Sequence, residues 1–209
     1  MGQLFHCGEG KERRNRVPMR WVTMLVFLDF EASSLNKRGY PIEVGWIFED
    51  GRSESHLIRP APDWTDWDSA AQAIHHIHRP MLFDDGEPHE QVANRMIEVL
   101  DGHDILASAP SWDGKWLSAL LRASGLPRHR LRLRDSDDAR RETASRILAA
   151  VVSGEQLADE IRAILALADV RALGKQPAHR ALADAMEERA LWLAVYEAAA
   201  TRAKELSAR

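Results

Sequence analysis

The 209-residue chain contains a single cysteine, Cys7, which excludes an internal disulfide and any cysteine-built zinc site. It has no run approaching ~18 uninterrupted apolar residues, so no segment reads as membrane-spanning. Its first residues lack the apolar core of a secretory signal. Nor is there an excess of positive charge: 28 Lys and Arg against 32 Asp and Glu leave a net charge of -4. That excludes a global basic field for nucleic acid, although a protein gripping a strand through cations and a local groove needs none. Internal repeats and linkers rich in Pro, Gly or Ser are also lacking. The length suits one domain with a substantial core, and the cytoplasm is the default compartment.

The stretch with most to say is Leu25-Val26-Phe27-Leu28-Asp29-Phe30-Glu31. Its apolar run reads as a strand, about 24–30, buried on both faces. Side chains alternate along a strand, so Asp29 and Glu31 project to the same side. Two carboxylates there repel each other and are costly to desolvate, and a divalent cation removes both problems.

The rest of the chain follows a simple order. Residues 1–20 are polar and carry Lys11, Arg13, Arg14 and Arg16, which reads as a disordered leader. A loop over 32–39 leads to a second strand at 43–48, an Asp50-Gly51 turn, and a third strand at 53–58 stopped by Pro60 and Pro62. These three form an antiparallel meander. A Trp- and Asp-rich loop covers 61–68, and Ser69 is placed to cap a short helix through Ile77. Glu87-Pro88 opens another helix, with Val92, Met96, Ile97 and Leu100 at helical spacing. A fourth strand at 105–108, a helix at 112–123 and a fifth strand at 131–134 follow. From about Asp137 the pattern is helical, with a stripe of Leu157, Ile161, Ile164, Leu165 and Ala168, and a last helix from about His179. The expectation is one α/β domain over 21–209, a five-stranded mixed sheet flanked by helices.

A two-metal phosphoryl-transfer site needs about four carboxylates around ions roughly 3.5–4 Å apart. Asp29 and Glu31 supply two. Asp113 lies just past the fourth strand, at the sheet edge where such folds place ligands. Asp184 lies on the last helix, five residues after His179. Five helical residues turn about 500°, so the two share no narrow face and His179 must sit at or before the first turn. Pro177 fits a helix start there.

With these residues in view, the chain resembles the DEDDh 3′–5′ exonucleases, a group that includes polymerase proofreading subunits and oligoribonuclease. The resemblance rests on Asp29-Phe30-Glu31, Asp113, and His179-Arg180-Ala181-Leu182-Ala183-Asp184-Ala185. Pro41-Ile42-Glu43-Val44-Gly45 looks like the family's second strand, and Ile74-His75-His76-Ile77 like its Ile-His-Gly-Ile segment with His76 for the glycine. The middle motif departs, with Ser108-Ala109 where many members have His-Asn.

The resemblance implies a ribonuclease-H-like fold and two divalent cations, Mg²⁺ or Mn²⁺. Asp29, Glu31 and Asp184 would bind one ion, and Asp29 would bridge to the second, with Asp113 acting there directly or through water. His179 would be the general base, and the products nucleoside 5′-monophosphates. Substrate contacts are expected from Phe30, Ala32, Ser33, Ser34, Leu35, His75 and Trp112. The partner would be a 3′ end of single-stranded DNA or RNA, or a short oligonucleotide, and a homodimer is one assembly the resemblance admits. A non-catalytic nucleic-acid-binding scaffold and a small-nucleotide phosphodiesterase are the alternatives.

Three further features have plain readings. His75, His76 and His78 lack a fourth ligand and the regular spacing of a zinc site. Trp46, Trp116 and Trp192 sit in apolar patterns and read as core, whereas Trp64 and Trp67 either anchor their loop or stack on a base. Arg128, Arg130, Arg132, Arg134, Arg140 and Arg141 form either a phosphate-tracking groove or, with Asp135, Asp137 and Asp138, a salt-bridged surface.

Overall fold

A computed structural model describes residues 23–172 and 178–208. The leader expected over 1–20 and the helix-start signal at Pro177 lie outside the described residues.

The apolar run forms β1 (Leu25–Ala32), with Val26, Phe27 and Leu28 at most 2% exposed. It pairs antiparallel with β2 (Pro41–Phe48), which pairs antiparallel with β3 (Ser53–Arg59). The meander is as expected, and Gly51, at φ +96°, makes the turn between β2 and β3. Register places Asp29 opposite Gly45 and Glu31 opposite Glu43. After α1 (Ser69–His75) and α2 (Arg79–Asp84) come β4 (Glu87–Pro88), α3 (His89–Leu100), β5 (Asp104–Ala107) and α4 (Pro110–Ala123). The chain continues through β6 (Leu133–Asp135), α5 (Ser136–Leu148), α6 (Gly154–Ala172) and α7 (Ala181–Ser207).

The sheet order is β4-β3-β2-β1-β5-β6, with β5 parallel to β1 and β6 parallel to β5. There are six strands, not five. The extra one is Glu87–Pro88, whose proline does open α3, but whose two residues also pair in parallel with Ile58 and Arg59 at the sheet margin. Proline lacks an N–H and is tolerated at such an edge. Two helix boundaries also shift. Asp68, not Ser69, caps α1, its carboxylate accepting from Ala70 N at 2.8 Å, and α1 stops at His75 because His76 turns left-handed at φ +57°.

Alternation along β1 builds the layers. Val26, Leu28 and Phe30 face α3 and α4, packing with Met96, Leu100, Trp116 and Leu120. Phe27 faces α5 and α7, packing with Ala139, Ala185 and Trp192. Each large side chain so buried contributes ~1.5–3 kcal/mol relative to exposure. Helix α6 lies outside this second layer, with Ile164 and Ala168 against Leu148, Val195 and Ala199.

Trp46, Trp116 and Trp192 are core. Trp64 stacks on Tyr40 at 5.2 Å, and Trp67 Nε1 donates to Gln72 at 3.0 Å, so both anchor their loop. Arg130, Arg134, Arg140 and Arg141 form a salt-bridged surface: Arg134 binds Asp104 (2.6 Å) and Glu142 (2.7 Å), Arg130 binds Asp101, Arg140 binds Glu188 (2.9 Å), and Arg141 binds Asp138 (3.4 Å). Asp101 and Asp104 stand where β5 begins, the end of the strand away from Asp113.

Candidate active site

Asp29 and Glu31 are on the face of β1 that looks toward α5 and α7, near the strand's C-terminal end. The other acids reach that edge from opposite layers. Helix α4 starts just after β5 with Pro110 in its first turn, and Asp113 follows in the same turn. The Asp113 carboxyl is 3% exposed and is faced by the backbone N–H groups of Phe30, Ala109 and its own residue, yet its Oδ2 has no hydrogen-bond partner. From the other layer, α7 brings Asp184 in its first turn.

Helix α7 can come this close because Gly45 of β2 has no side chain. A Cβ there would overlap the backbone of Ala181 and Leu182. The approach to the helix is tied down on both sides. Ala178 N donates to Asp184 Oδ1 at 2.8 Å, and His179 turns left-handed at φ +51°. His179 therefore precedes α7, and donor atoms of Glu31, His179 and Asp184 all lie within 4.8 Å of one another.

The electrostatics of the cluster are lopsided. Burial pushes Asp29 up to about 9, with Asp113, Glu31, Asp184 and Glu188 adding to the rise. Burial pushes Glu31 up to about 8; Asp184 and Glu43 add to it, and Arg180 opposes them. Burial takes Asp113 to about 7, restrained by the backbone N–H groups around it. Acids this close strongly favour either protons or a bound cation. The orphaned Asp113 Oδ2 and a donor set of carboxylates beside an imidazole fit a hard divalent cation such as Mg²⁺ or Mn²⁺.

The residues expected to touch substrate divide into two groups. Leu35, 68% exposed, and Trp112, 42% exposed, stand open. Lys115 links their two elements: its Nζ lies 5.0 Å over the Trp112 ring and 4.0 Å over Trp116, and it donates to Asn36 O at 2.8 Å. Ala32 is half-buried. The side chains of Phe30, Ser33, Ser34 and His75 point inward. Phe30 belongs to the α3/α4 core because alternation puts it opposite Asp29 and Glu31. Ser33 Oγ accepts from Tyr40 N at 3.1 Å, while Ser34 Oγ accepts from Asn36 N at 3.1 Å and donates to Asp66. His75 is 2% exposed, and its Nδ1 accepts from Ile77 N at 3.0 Å. Burial depresses it to about 4, so it is neutral at neutral pH, and its Nε2 has no partner.

Sequence reasoning passed over Glu43. It is 1% exposed, and its carboxylate accepts from Arg180 Nη2 at 2.7 Å and from Ala181 N at 3.0 Å. A glutamate inside the apolar run Pro41-Ile42-Glu43-Val44 is the signal that could have found it, since a buried acid requires partners.

No family model matches the chain. No curated protein matches it either. Solved structures do. Exonuclease I from Methylocaldum szegediense superposes with a TM-score of 0.61 at 19% identity, over 84% of this chain and 41% of that one. The zinc-bound form of the E. coli exonuclease I–ssDNA complex gives 0.60 at 18%, over 89% and 42%. E. coli exonuclease I in complex with a dA16 oligonucleotide gives 0.60 at 17%, over 88% and 42%. The chain shares its fold with exonuclease I. It spans about two fifths of the length of those exonucleases.

Proposed function

We propose that this chain is a metal-dependent 3′–5′ exonuclease of the DEDDh type, a single domain over 21–209. Its substrate would be a single-stranded 3′ end or a short oligonucleotide, and its product a nucleoside 5′-monophosphate. The observation that carries this reading is the convergence of Glu31, His179 and Asp184 from β1 and the start of α7, with Asp29 and Asp113 beside them. The exonuclease I fold, seen in complexes with ssDNA, supports it. Among the described residues no helix is long and apolar enough to cross a membrane, and we place the protein in the cytoplasm.

Asp29, Glu31, Asp113 and Asp184 would hold two divalent cations. When bound, these supply charge neutralisation at the phosphoryl group and acidify water. The chain's own residues do the rest. His179 accepts the proton of the attacking water, a task imidazole performs near neutral pH. Leu35 and Trp112, exposed on either side of the Lys115 brace, grip the terminal nucleotide. The acids, held on rigid strand and helix ends, are oriented before substrate arrives.

The test is hydrolysis of a 3′-labelled single strand with Mg²⁺ or Mn²⁺, in DNA and RNA versions. The expected result is stepwise release of labelled 5′-monophosphate, abolished in Asp29→Ala. No hydrolysis with either metal would overturn the reading, and cleavage confined to a mononucleotide ester would reassign the substrate.

A further inference from the structure

His179 has the least comfortable backbone in the site. Its φ of +51° is in the left-handed region, where the Cβ crowds the backbone. A residue stays there only when its surroundings hold it. On one side Ala178 N is bonded to Asp184 Oδ1. On the other, Arg180 is extended at φ -139° and offers α7 no side-chain cap of its own. That cap comes from Glu43, 138 positions away in sequence.

One carboxylate does two things there. Oε2 accepts the Ala181 N–H at 3.0 Å, and both oxygens accept the Arg180 guanidinium at 2.7 to 3.2 Å. The Glu43 side chain is 2% exposed and that of Arg180 51%, so the pair runs from the interior out to the surface beside the site. Glu43 also stands directly opposite Glu31. Across an antiparallel pair such residues share a face. The residue that fixes the two positions after His179 is thus a cross-strand neighbour of one of the acids His179 must meet.

We propose that Glu43 is a positioning residue for His179, acting through the Arg180 guanidinium and the Ala181 amide to hold the imidazole against Glu31 and Asp184. This rests on the exonuclease reading, in which His179 is the base. A plain helix cap would stabilise α7 and leave the chemical step alone; a positioning residue acts on the rate through His179.

The experiment is a double-mutant cycle on labelled-strand hydrolysis with Mn²⁺, using Glu43→Gln, His179→Ala and the pair together. Misplacing a reacting group by about 1 Å costs on the order of a hundredfold, and that loss in kcat is expected for Glu43→Gln. KM for the strand and Mn²⁺ affinity by calorimetry should stay within about threefold of wild type. In the His179→Ala background the same substitution should change kcat by less than about threefold, because the group it positions is gone. An unchanged kcat, or equal losses in the two backgrounds, overturns the proposal. Arg180→Gln, on a half-exposed side chain, probes the same link if Glu43→Gln does not fold, and should show the same non-additivity. Hydrogen exchange gives a reading that does not depend on activity. The Ala181 amide should exchange at least about tenfold faster in Glu43→Gln while β1 and β2 amides do not change, and unchanged protection overturns the proposal. A wild-type chain that hydrolyses nothing overturns the exonuclease reading itself, and exchange alone then decides the link.

Discussion

Glu31 and Glu43 face each other across β1 and β2, and they could hardly be treated more differently. Glu43 is buried among an arginine and a helix amide that point straight at it. Glu31 is half-buried among other acids, raised to about 8, with Arg180 the cation that opposes the rise. Asp29, its neighbour on the same face, is raised to about 9 by burial and four other acids. A buried acid supplied with its own counter-charge ties elements together. A cluster of acids without one is a site kept ready for a charge from outside, at a cost to the fold until it arrives.

The sharpest way to break this contrast is through opposite signs. Asp29→Asn should reduce strand hydrolysis on the order of a thousandfold, yet raise the melting temperature of the metal-free protein, since it removes a buried carboxyl that the folded state must hold protonated at neutral pH while the unfolded chain ionises it. A lower metal-free melting temperature would contradict the account of the acids. Glu43→Ala should go the other way, costing about 2 kcal/mol in urea unfolding, a figure reduced from that for fully buried pairs because Arg180 is half exposed. No measurable loss would mean the pair is not the tie described.

A pH series sharpens the same comparison. In the folded, metal-free protein Asp29, Glu31 and Asp113 sit near 9, 8 and 7, above their ordinary values of 3.8, 4.5 and 3.8. The folded state therefore binds more protons than the unfolded one, and stability falls as pH rises through those values. His75 has the opposite sign: depressed to about 4 from 6.5, it withdraws stability as pH falls between those two values. A scan from pH 6.5 to 9 isolates the acids, and metal-free melting should drop steadily across it. Mn²⁺ at a hundred times its Kd should add ~2.7 kcal/mol and flatten the slope. A flat metal-free profile would sink the claim. The smallest effect belongs to the arginine surface: Arg134→Ala, which breaks pairs to Asp104 and Glu142, should change strand affinity by less than about twofold.

The sequence showed much of this where one local rule applied. The apolar run into Asp29, the meander, and the need for His179 to precede its helix all follow from periodicity and helical geometry. What it hid depended on pairing between distant segments. Glu87–Pro88 reads as a helix start and is one, and nothing local says that it also borders β3. Ser33 and Ser34 look like free hydroxyls after Asp29-Phe30-Glu31, until Tyr40, Asn36 and Asp66 return to bond them. Gly45 looks like a weak point in a strand, and only α7 explains it. Glu43 was overlooked for the same reason, its partners lying 137 and 138 positions away.

That span has a consequence for synthesis. At ~5–20 residues per second, a ribosome takes roughly 7–28 s to go from Glu43 to the amide it caps. Throughout that interval the strand carrying Asp29 and Glu31 is already made, but Asp184, His179 and the cover over Gly45 are not. On the exonuclease reading, a chain translated only that far is inert. The docking of α7 brings Asp184, His179 and the capped Ala181 amide to β1 together, so on the exonuclease reading proposed above a single late docking step completes the site.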